Sequence, residues 1–208
     1  MLDTDLVRER ILDAAEDLFY ARGIQAVPLD VIRDASGVTL RRLYQTFPSK
    51  GDLVAAYLAR RDTRWLQSLT THVDTAAEAP QERLLAVFDW LESWFSEPDF
   101  HGCAFVNSFG ELGGTSPQVA AAARHHKDLF HAYLRELAAA AGAAADTGTQ
   151  IALLAEGAMT TAAISGTPAS ARQAKQAAQL LLALGTRPTD TDLPAVAASR
   201  GRRRGAGG

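Results

Sequence analysis

The sequence of this 208-residue chain predicts an all-α fold. Alanine is abundant while β-branched and aromatic residues are sparse, a composition that favours helix over strand. Apolar residues recur every three to four positions along most of the chain, which is the period of a helix with one buried face. With 47% hydrophobic and 22% charged residues, the composition is that of an ordinary globular protein, and its length allows one large domain or two smaller ones.

Residues 5–22 form the first predicted helix. Gly23 follows them at a position typical of a helix C-cap. One face of this segment is apolar and the opposite face is charged, because its apolar side chains repeat at helical spacing: Val7, Ile11, Ala14, Ala15, Leu18 and Phe19.

Two short helices are predicted next. Pro28 can begin the first, over about residues 28–35, and a Ser-Gly pair ends it. Thr39 can cap the second, which runs to about Tyr44 before a Phe-Pro pair breaks the chain. Two short helices joined by a tight turn, with a longer helix before them, predict a helix-turn-helix unit.

The remaining predicted helices build a larger C-terminal unit. Ser49 and Asp52 form a capping-box-like start to a long helix that runs to about residue 72. The helices that follow bring the total to about nine. One begins at Pro80 and ends before Pro98, and a short segment lies within 99–114. The last three run from Pro117 to about 141, over 148–165 and over 169–184.

The chain divides into three predicted regions. Residues 1–48 are the helix-turn-helix domain, residues 49–186 a helical bundle, and residues 187–208 a disordered tail. Helical periodicity vanishes in the tail, where Pro, Thr, Asp, Gly and Arg dominate. The tail ends in "SRGRRRGAGG", whose four arginines either touch phosphates nonspecifically or remain solvated.

The segment 37–50, "GVTLRRLYQTFPSK", concentrates positive charge in a chain of formal net charge -3. It holds two arginines and one lysine and no acidic residue, although residues 1–60 as a whole carry eight basic and nine acidic residues. Neutralising nucleic-acid phosphates requires only a local positive face, so the overall charge neither supports nor excludes DNA as a partner. A solvated surface helix is the plainer interpretation of the same charges.

In a helix-turn-helix, the second helix lies in the major groove of DNA and presents hydrogen-bond donors outward. Leu43 and Phe47 lie four residues apart and can face the core together. Arg can bond guanine bidentately, Gln suits adenine, and an apolar side chain can contact a thymine methyl. The predicted DNA-contacting residues are Thr39, Leu40, Arg41, Arg42, Tyr44, Gln45 and Lys50, of which Tyr44 and Lys50 suit phosphates better than bases.

Residues 8–58 resemble the DNA-binding domain of the TetR family of bacterial transcriptional regulators. Three strings carry the resemblance: "ILDAAEDLFYARG" at 11–23, "LDVIRDASGV" at 29–38 and "LYQTFPSKGDL" at 43–53. The resemblance implies that base-reading positions are held by Thr39, Arg41, Arg42 and Gln45, and that Tyr44 and Lys50 hold the DNA backbone.

A second motif, "GCAFVNSFGEL" at 102–112, is similar to a G-C-x-x-x-N-x-x-x-E pattern in a subset of these regulators. The resemblance implies a C-terminal helical bundle that binds a small molecule and forms the dimer. Aromatic side chains with a sparse set of polar groups are also typical of binding pockets. The predicted ligand-binding residues are Trp90, Trp94, Phe105, Asn107, Phe109, Glu111, His126, Phe130 and Met159. The alternatives are a plain core for the aromatic residues and a helix cap for Asn107.

The last two predicted helices carry stripes of small and apolar residues that permit close helix approach, and we expect them to form a homodimer interface. The stripes are Ile151, Leu154, Ala155, Ala158 and Ala162, then Ala174, Ala177, Ala178, Leu181, Leu182 and Leu184. An intramolecular core of the same character is the alternative. A two-fold dimer would carry two recognition helices one DNA turn or a multiple apart, matching a palindromic operator.

Other classes of function find little support in the sequence. His125, His126 and His131 include no i, i+4 pair, and we expect neither a metal site nor a cofactor. The single cysteine, Cys103, excludes an internal disulfide, fits a reducing compartment and is expected to be buried. No catalytic motif is present, so we expect no enzymatic activity. The sequence shows no signal-peptide pattern, and its apolar runs are well short of the roughly 20 residues that a membrane span needs. We therefore expect a cytoplasmic protein.

These features together predict a DNA-binding transcriptional regulator, a homodimeric repressor that a small-molecule effector releases from a palindromic operator. The alternatives within the same fold are a transcriptional activator and a regulator that needs no ligand. A helical protein-interaction module would leave the cationic segment 37–50 unexplained.

Overall fold

A computed structural model describes residues 4–185, and this range contains nine α-helices and the turns between them. The helices are α1 Thr4–Arg22, α2 Leu29–Ser36, α3 Leu40–Thr46, α4 Lys50–Ala76, α5 Pro80–Phe95, α6 Ala104–Leu112, α7 Pro117–Ala140, α8 Thr147–Ser165 and α9 Ala169–Gly185. The all-α prediction is confirmed. The predicted tail, residues 187–208, lies outside the described residues.

Helices α1, α2 and α3 form a small core at the N-terminal end. The apolar face of α1 is buried as predicted, with Ile11 and Phe19 at its centre. Ile32 of α2 and the pair Leu43 and Phe47 close this core from the other side, and each of the three is at most 2% exposed. The buried pair Leu43 and Phe47 therefore determines which side of α3 points outward.

Specific backbone features define the turn and the ends of α3. Gly37 has a φ of 63° and its N–H donates to the Asp34 carbonyl. A Cβ at Gly37 would lie 2.7 Å from Nη2 of Arg10, so both the left-handed backbone and the close approach favour glycine. The Thr39 hydroxyl accepts a hydrogen bond from the Arg42 N–H at 3.3 Å, which confirms the predicted N-cap.

Helix α4 connects the N-terminal core to the rest of the molecule without a break. The Ser49 hydroxyl caps it, accepting from the Asp52 N–H at 3.1 Å and donating to the Asp52 carboxylate at 2.7 Å. The first half of α4 packs on α1, and Tyr57 is buried there. Farther along, α4 packs on α5 and α7 and buries Trp65.

Helices α5 and α7–α9 form the core of the C-terminal bundle, in which α8 packs on both α7 and α9, and α9 also packs on α5. The stripes predicted to form a dimer interface lie largely inside this bundle: Ile151, Ala155, Ala158, Ala162, Ala174, Ala178 and Leu182 are buried within the chain itself. The interface prediction is therefore wrong for these residues, and the intramolecular alternative is correct. Helical periodicity identified a buried face but did not reveal what buries it.

Within the described range, no helix is both long enough and apolar enough to cross a membrane.

Candidate DNA-binding surface and domain junction

Most of the predicted DNA contacts share the outward side of α3. Leu40 and Tyr44 are 40% and 47% exposed, which is unusual for such large side chains. Thr39, Arg41 and Gln45 are exposed as well, while Arg42 is half-buried. An apolar side chain, a phenol, an amide and two guanidinium groups thus occur on one short helix, and these are groups that can read base edges and hold phosphates.

Three acids of α1 pair with a basic residue of α4 rather than with α3. Arg60 of α4 contacts Glu9, Asp13 and Glu16 at 3.0, 2.8 and 2.7 Å. Arg41, in contrast, is in none of the ion pairs described within residues 4–185. A mildly acidic chain can therefore still present a cationic face at α3.

Lys50 differs from the other predicted contacts. Its Nζ lies 5.9 Å from the centre of the Phe19 ring, and its side chain is half-buried. Burial lowers the pKa of Lys50, and the nearby Glu111 carboxylate opposes that shift. The ammonium group therefore lies toward Phe19 of α1 and Glu111 of α6.

The aromatic residues predicted for the ligand pocket pack directly on one another. Trp65, which is not among the predicted pocket residues, is at their centre, although its place on the apolar face of α4 marks it as buried. Its ring centroid lies 5.0 Å from Trp90, 5.7 Å from Trp94, 4.9 Å from His126 and 5.2 Å from Phe130. These are the separations of rings in contact, so this cluster is core.

His126 belongs to the same cluster and is 1% exposed. It stacks on Phe105 at 3.8 Å, and its Nδ1 lies 2.7 Å from the Asp62 carboxylate. Burial lowers the pKa of His126 to about 4, while the hydrogen bond to Asp62 acts in the opposite direction. The imidazole is therefore neutral near pH 7 and links α7 to α4 within the core.

The nine predicted ligand-binding residues do not surround one cavity. Met159 is buried on α8, whereas Phe109 is 52% exposed and lines an open groove between α6 and α7. Asn107 and Glu111 lie on the side of α6 that meets α1. The helix cap that was the alternative for Asn107 is also wrong, because α6 begins at Ala104 with Cys103 as its N-cap residue.

Glu111 joins α6 to the turn that follows α1. Its carboxylate oxygens accept from the backbone N–H groups of Ile24 and Gln25 at 3.0 and 2.8 Å. The Gln25 side-chain amide donates in return to the Glu111 carbonyl at 2.6 Å. Gly23, with a φ of 84°, leaves room for this contact, since a Cβ there would lie 3.1 Å from the carboxylate oxygens.

A second set of hydrogen bonds joins α1 to the segment before α6. The Tyr20 hydroxyl donates to the Gly102 carbonyl at 2.9 Å and accepts from the His101 N–H at 3.0 Å. The Asn107 side-chain amide donates to the His101 carbonyl at 2.8 Å. Three residues of the 102–112 motif, Gly102, Asn107 and Glu111, therefore build the junction between the N-terminal core and the bundle.

Cys103, the remaining named residue of that motif, is buried beside a small ionic cluster. Lys127 Nζ lies 3.4 Å from its Sγ and 2.7 Å from the Glu156 carboxylate. His131 Nε2 lies 3.3 Å from the other oxygen of the same carboxylate. Among residues 4–185, no three His, Cys, Asp or Glu side chains come together in a group able to hold a metal ion.

Comparison with known sequences agrees with this geometry. The profile of bacterial regulatory proteins of the tetR family matches residues 11–57, which run from α1 into α4. An uncharacterised HTH-type transcriptional regulator of Mycobacterium tuberculosis is 37% identical over 82 residues, or 39% of this chain and 40% of the relative. The HTH-type transcriptional activator FasR of Mycolicibacterium smegmatis is 33% identical over 120 residues, or 58% of this chain and 53% of the relative. The chain thus spans about two fifths to one half of the length of these curated relatives.

Solved structures extend the likeness to the bundle. SCO4454, a TetR-family transcriptional regulator from Streptomyces coelicolor, superposes with a TM-score of 0.81 at 27% identity, covering 88% of this chain and 97% of that one. A putative TetR-type regulator from Streptomyces avermitilis superposes with a TM-score of 0.69 at 29% identity, covering 83% and 98%. Residues 11–57 thus match the tetR-family model, and the described chain shares its fold with solved structures of TetR-family regulators.

Proposed function

We propose that the protein is a transcriptional regulator that binds double-stranded DNA and reads its sequence with α3. The observation that carries the proposal is the outward side of α3, where Arg41 and Gln45 are exposed next to Tyr44 and no acidic residue occurs between 37 and 50. The opposite side of the helix is anchored by Leu43, which is 0% exposed, so the outward side chains are held in one orientation.

The proposal includes a homodimer formed through α8 and α9. Large apolar side chains remain exposed on these helices: Leu153 at 63%, Ile164 at 83%, Leu180 at 68% and Leu184 at 60%. Leu153 and Ile164 are eleven residues apart, which places them on the same side of α8. Exposed apolar residues grouped on two neighbouring helices are typical of a protein–protein interface, and a two-fold pair would bind a palindromic operator.

We further propose that the protein is a cytoplasmic repressor without enzymatic activity, released from its operator by a small-molecule effector. The resemblance to TetR-family regulators supports this choice. A transcriptional activator is the second candidate, because the relative from M. smegmatis is named an activator. A reporter gene placed under the selected operator separates the two, since deleting the regulator raises expression for a repressor and lowers it for an activator.

Selection of bound sites from random DNA with the full-length protein tests the proposal. We expect an enriched palindrome whose half-sites are about 10 base pairs apart, or a multiple of that, because the two α3 helices of a dimer face the same side of the duplex. Binding should weaken steeply with salt, as phosphate contacts require. Recovery of no enriched sequence, with binding no stronger than that of random DNA, would contradict the proposal.

A further inference from the structure

Two arginines of α1 lie beside the two ends of α3. The Arg8 guanidinium carbon is 4.8 Å from the centre of the Phe47 ring, and Phe47 directly follows α3. Arg10 reaches the turn before α3, since its Nη2 lies only 2.7 Å from the position that a Cβ would take on Gly37. Residues two positions apart on a helix point in different directions, so the two side chains can reach opposite ends of α3. A guanidinium group therefore flanks α3 at each end.

The positive charges of both arginines are available to an anion outside the chain. Among residues 4–185, no carboxylate forms an ion pair with Arg8 or Arg10. Glu9, the acid between them in sequence, pairs with Arg60 of α4 at 3.0 Å. Arg8 is exposed and Arg10 is half-buried, so part of each side chain is accessible from solvent.

The lysine predicted to hold phosphates beside α3 is directed elsewhere. Lys50 is half-buried, and its Nζ lies 5.9 Å from the centre of the Phe19 ring. The sequence prediction was confined to residues 37–50, where basic residues are concentrated. Arg8 and Arg10 join this surface only through the packing of α1 on α3, which no local sequence pattern reveals.

The positions of the two arginines suit the dimensions of DNA. A helix in the major groove has a sugar–phosphate backbone on each side, and the groove is about 12 Å wide. Helix α3 has seven residues and is therefore about 10 Å long. Cationic groups at its two ends are thus separated by a distance comparable to the width of the groove. Arginine also presents several donors in a planar fork that matches phosphate oxygens.

We propose that Arg8 and Arg10 bind DNA phosphates on either side of α3 and thereby fix the position of this helix in the major groove. The inference rests on the proposed function, since it assigns backbone contacts to the same DNA-binding surface. Phosphate contacts carry no direct sequence information, so both arginines contribute to the affinity for every duplex and not to base preference. Each contact releases condensed counterions and therefore adds to the salt dependence of binding.

The salt dependence of binding to the selected operator tests the inference with Arg8→Gln and Arg10→Gln, which remove the charge and keep much of the side chain. We expect each variant to reduce the slope of log affinity against log salt concentration by about one for each copy of the chain on the DNA, or about two for a dimer on a palindrome. The base preference should stay that of the wild type. Arg22→Gln is the matched control and should keep the wild-type slope, because Arg22 is exposed at the other end of α1.

Arg8→Lys and Arg10→Lys separate phosphate binding from a purely structural role. Lysine keeps the charge but lacks the planar guanidinium group that contacts the Phe47 ring and the Gly37 turn. We expect both lysine variants to keep the wild-type slope, since the slope reports the number of neutralised phosphates. A role in packing alone would change thermal unfolding in the glutamine variants and leave their slopes unchanged.

The inference is overturned if either glutamine variant, shown by circular dichroism to be folded, has the same slope as Arg22→Gln. A changed base preference in either variant would also overturn it, because that arginine would then contact base edges. These outcomes are distinct from failure of the proposed function. If the wild type binds all duplexes alike while the slopes still fall in both glutamine variants, sequence reading by α3 is refuted and the phosphate contacts are upheld.

Discussion

At the scale of single residues, Gly37 has the backbone conformation most sensitive to substitution near α3. Its φ of 63° belongs to the left-handed region, and a Cβ would approach Arg10 Nη2 to 2.7 Å. We expect Gly37→Ala to lower the free energy of unfolding by about 1–2 kcal/mol, measured by urea denaturation. Gly110→Ala is the matched control, because Gly110 is inside α6 and a Cβ there would have no neighbour within 4 Å, so this change should be neutral or stabilising. Equal effects of the two substitutions would contradict the assignment of a strained turn.

His126 should make stability depend on pH. Burial lowers its pKa to about 4, so the unfolded chain binds a proton more readily than the folded one between about pH 6.5 and pH 4. The contribution of His126 to the free energy of unfolding is therefore present above its unfolded-state pKa of 6.5, and it is lost as pH falls toward the folded-state pKa of about 4. We expect a loss of about 2 kcal/mol from pH 7 to pH 5, measured as the free energy of unfolding.

The neighbouring histidine provides the control for this pH dependence. His126→Gln should flatten the pH dependence between pH 7 and pH 5, since glutamine does not titrate there. His125→Gln should leave the dependence unchanged, because the His125 side chain is 66% exposed. A wild-type profile that His126→Gln does not alter would show that another group is responsible.

At the scale of elements, the pairing of α1 with α4 depends on a shared carboxylate. Glu16 contacts Arg60, Arg61 and Arg64, and its side chain is only 14% exposed. Removing the charge of Glu16 leaves the largely buried Arg60 with fewer partners. We therefore expect Glu16→Gln to lower the free energy of unfolding by about 1–3 kcal/mol, measured by thermal unfolding. Asp17→Asn changes an exposed acid one position away and should stay within about 0.5 kcal/mol of the wild type. If the Glu16→Gln and Asp17→Asn proteins were equally stable, the pairing of α1 with α4 would not depend on the Glu16 carboxylate.

The elements themselves were largely predictable, whereas the contacts of α6 were not. Helical periodicity and the local signals at Gly37, Thr39 and Ser49 predicted the starts and ends of the first helices, because capping depends on residues two or three positions apart. Glu111, in contrast, bonds to Ile24 and Gln25 across 87 and 86 residues of chain. Nothing local in the sequence distinguishes such an acceptor from a pocket residue, so its place at the junction emerged only from the fold.

The same reason limits what the sequence predicts about the C-terminal half. An aromatic residue gives the same sequence pattern whether it lines a pocket or packs against Trp65. Only its neighbours in the three-dimensional structure distinguish the two cases. Alanine stripes on α8 and α9 likewise identify a face for close packing but not the helix that packs on it. The exposed Leu153 and Ile164 could be separated from the buried stripe only once α7 and α9 were in place.

At the scale of the whole molecule, the exposed apolar face of α8 and α9 predicts the state of association. We expect Ile164→Asp combined with Leu180→Asp to convert a dimer to a monomer in sedimentation experiments, because burying two unpaired carboxylates at an interface is unfavourable. Leu129→Asp is the control, since Leu129 is exposed at 38% but lies on α7. A wild-type protein that is monomeric at all concentrations, or a double variant that remains dimeric, would refute this interface.

The central claim, that α3 reads the bases of an operator, is tested most directly by the equilibrium affinity of Arg41→Ala for the selected duplex and for its single-base variants. We expect Arg41→Ala to lose roughly 1–3 kcal/mol of binding free energy on the selected site. We also expect a weaker base preference at one symmetric pair of operator positions, since a base contact is specific to its base. Arg124→Ala, which removes an exposed arginine of α7, should bind as the wild type does. If Arg41→Ala changes neither affinity nor base preference, or weakens binding to all sequences equally, α3 does not read bases through Arg41.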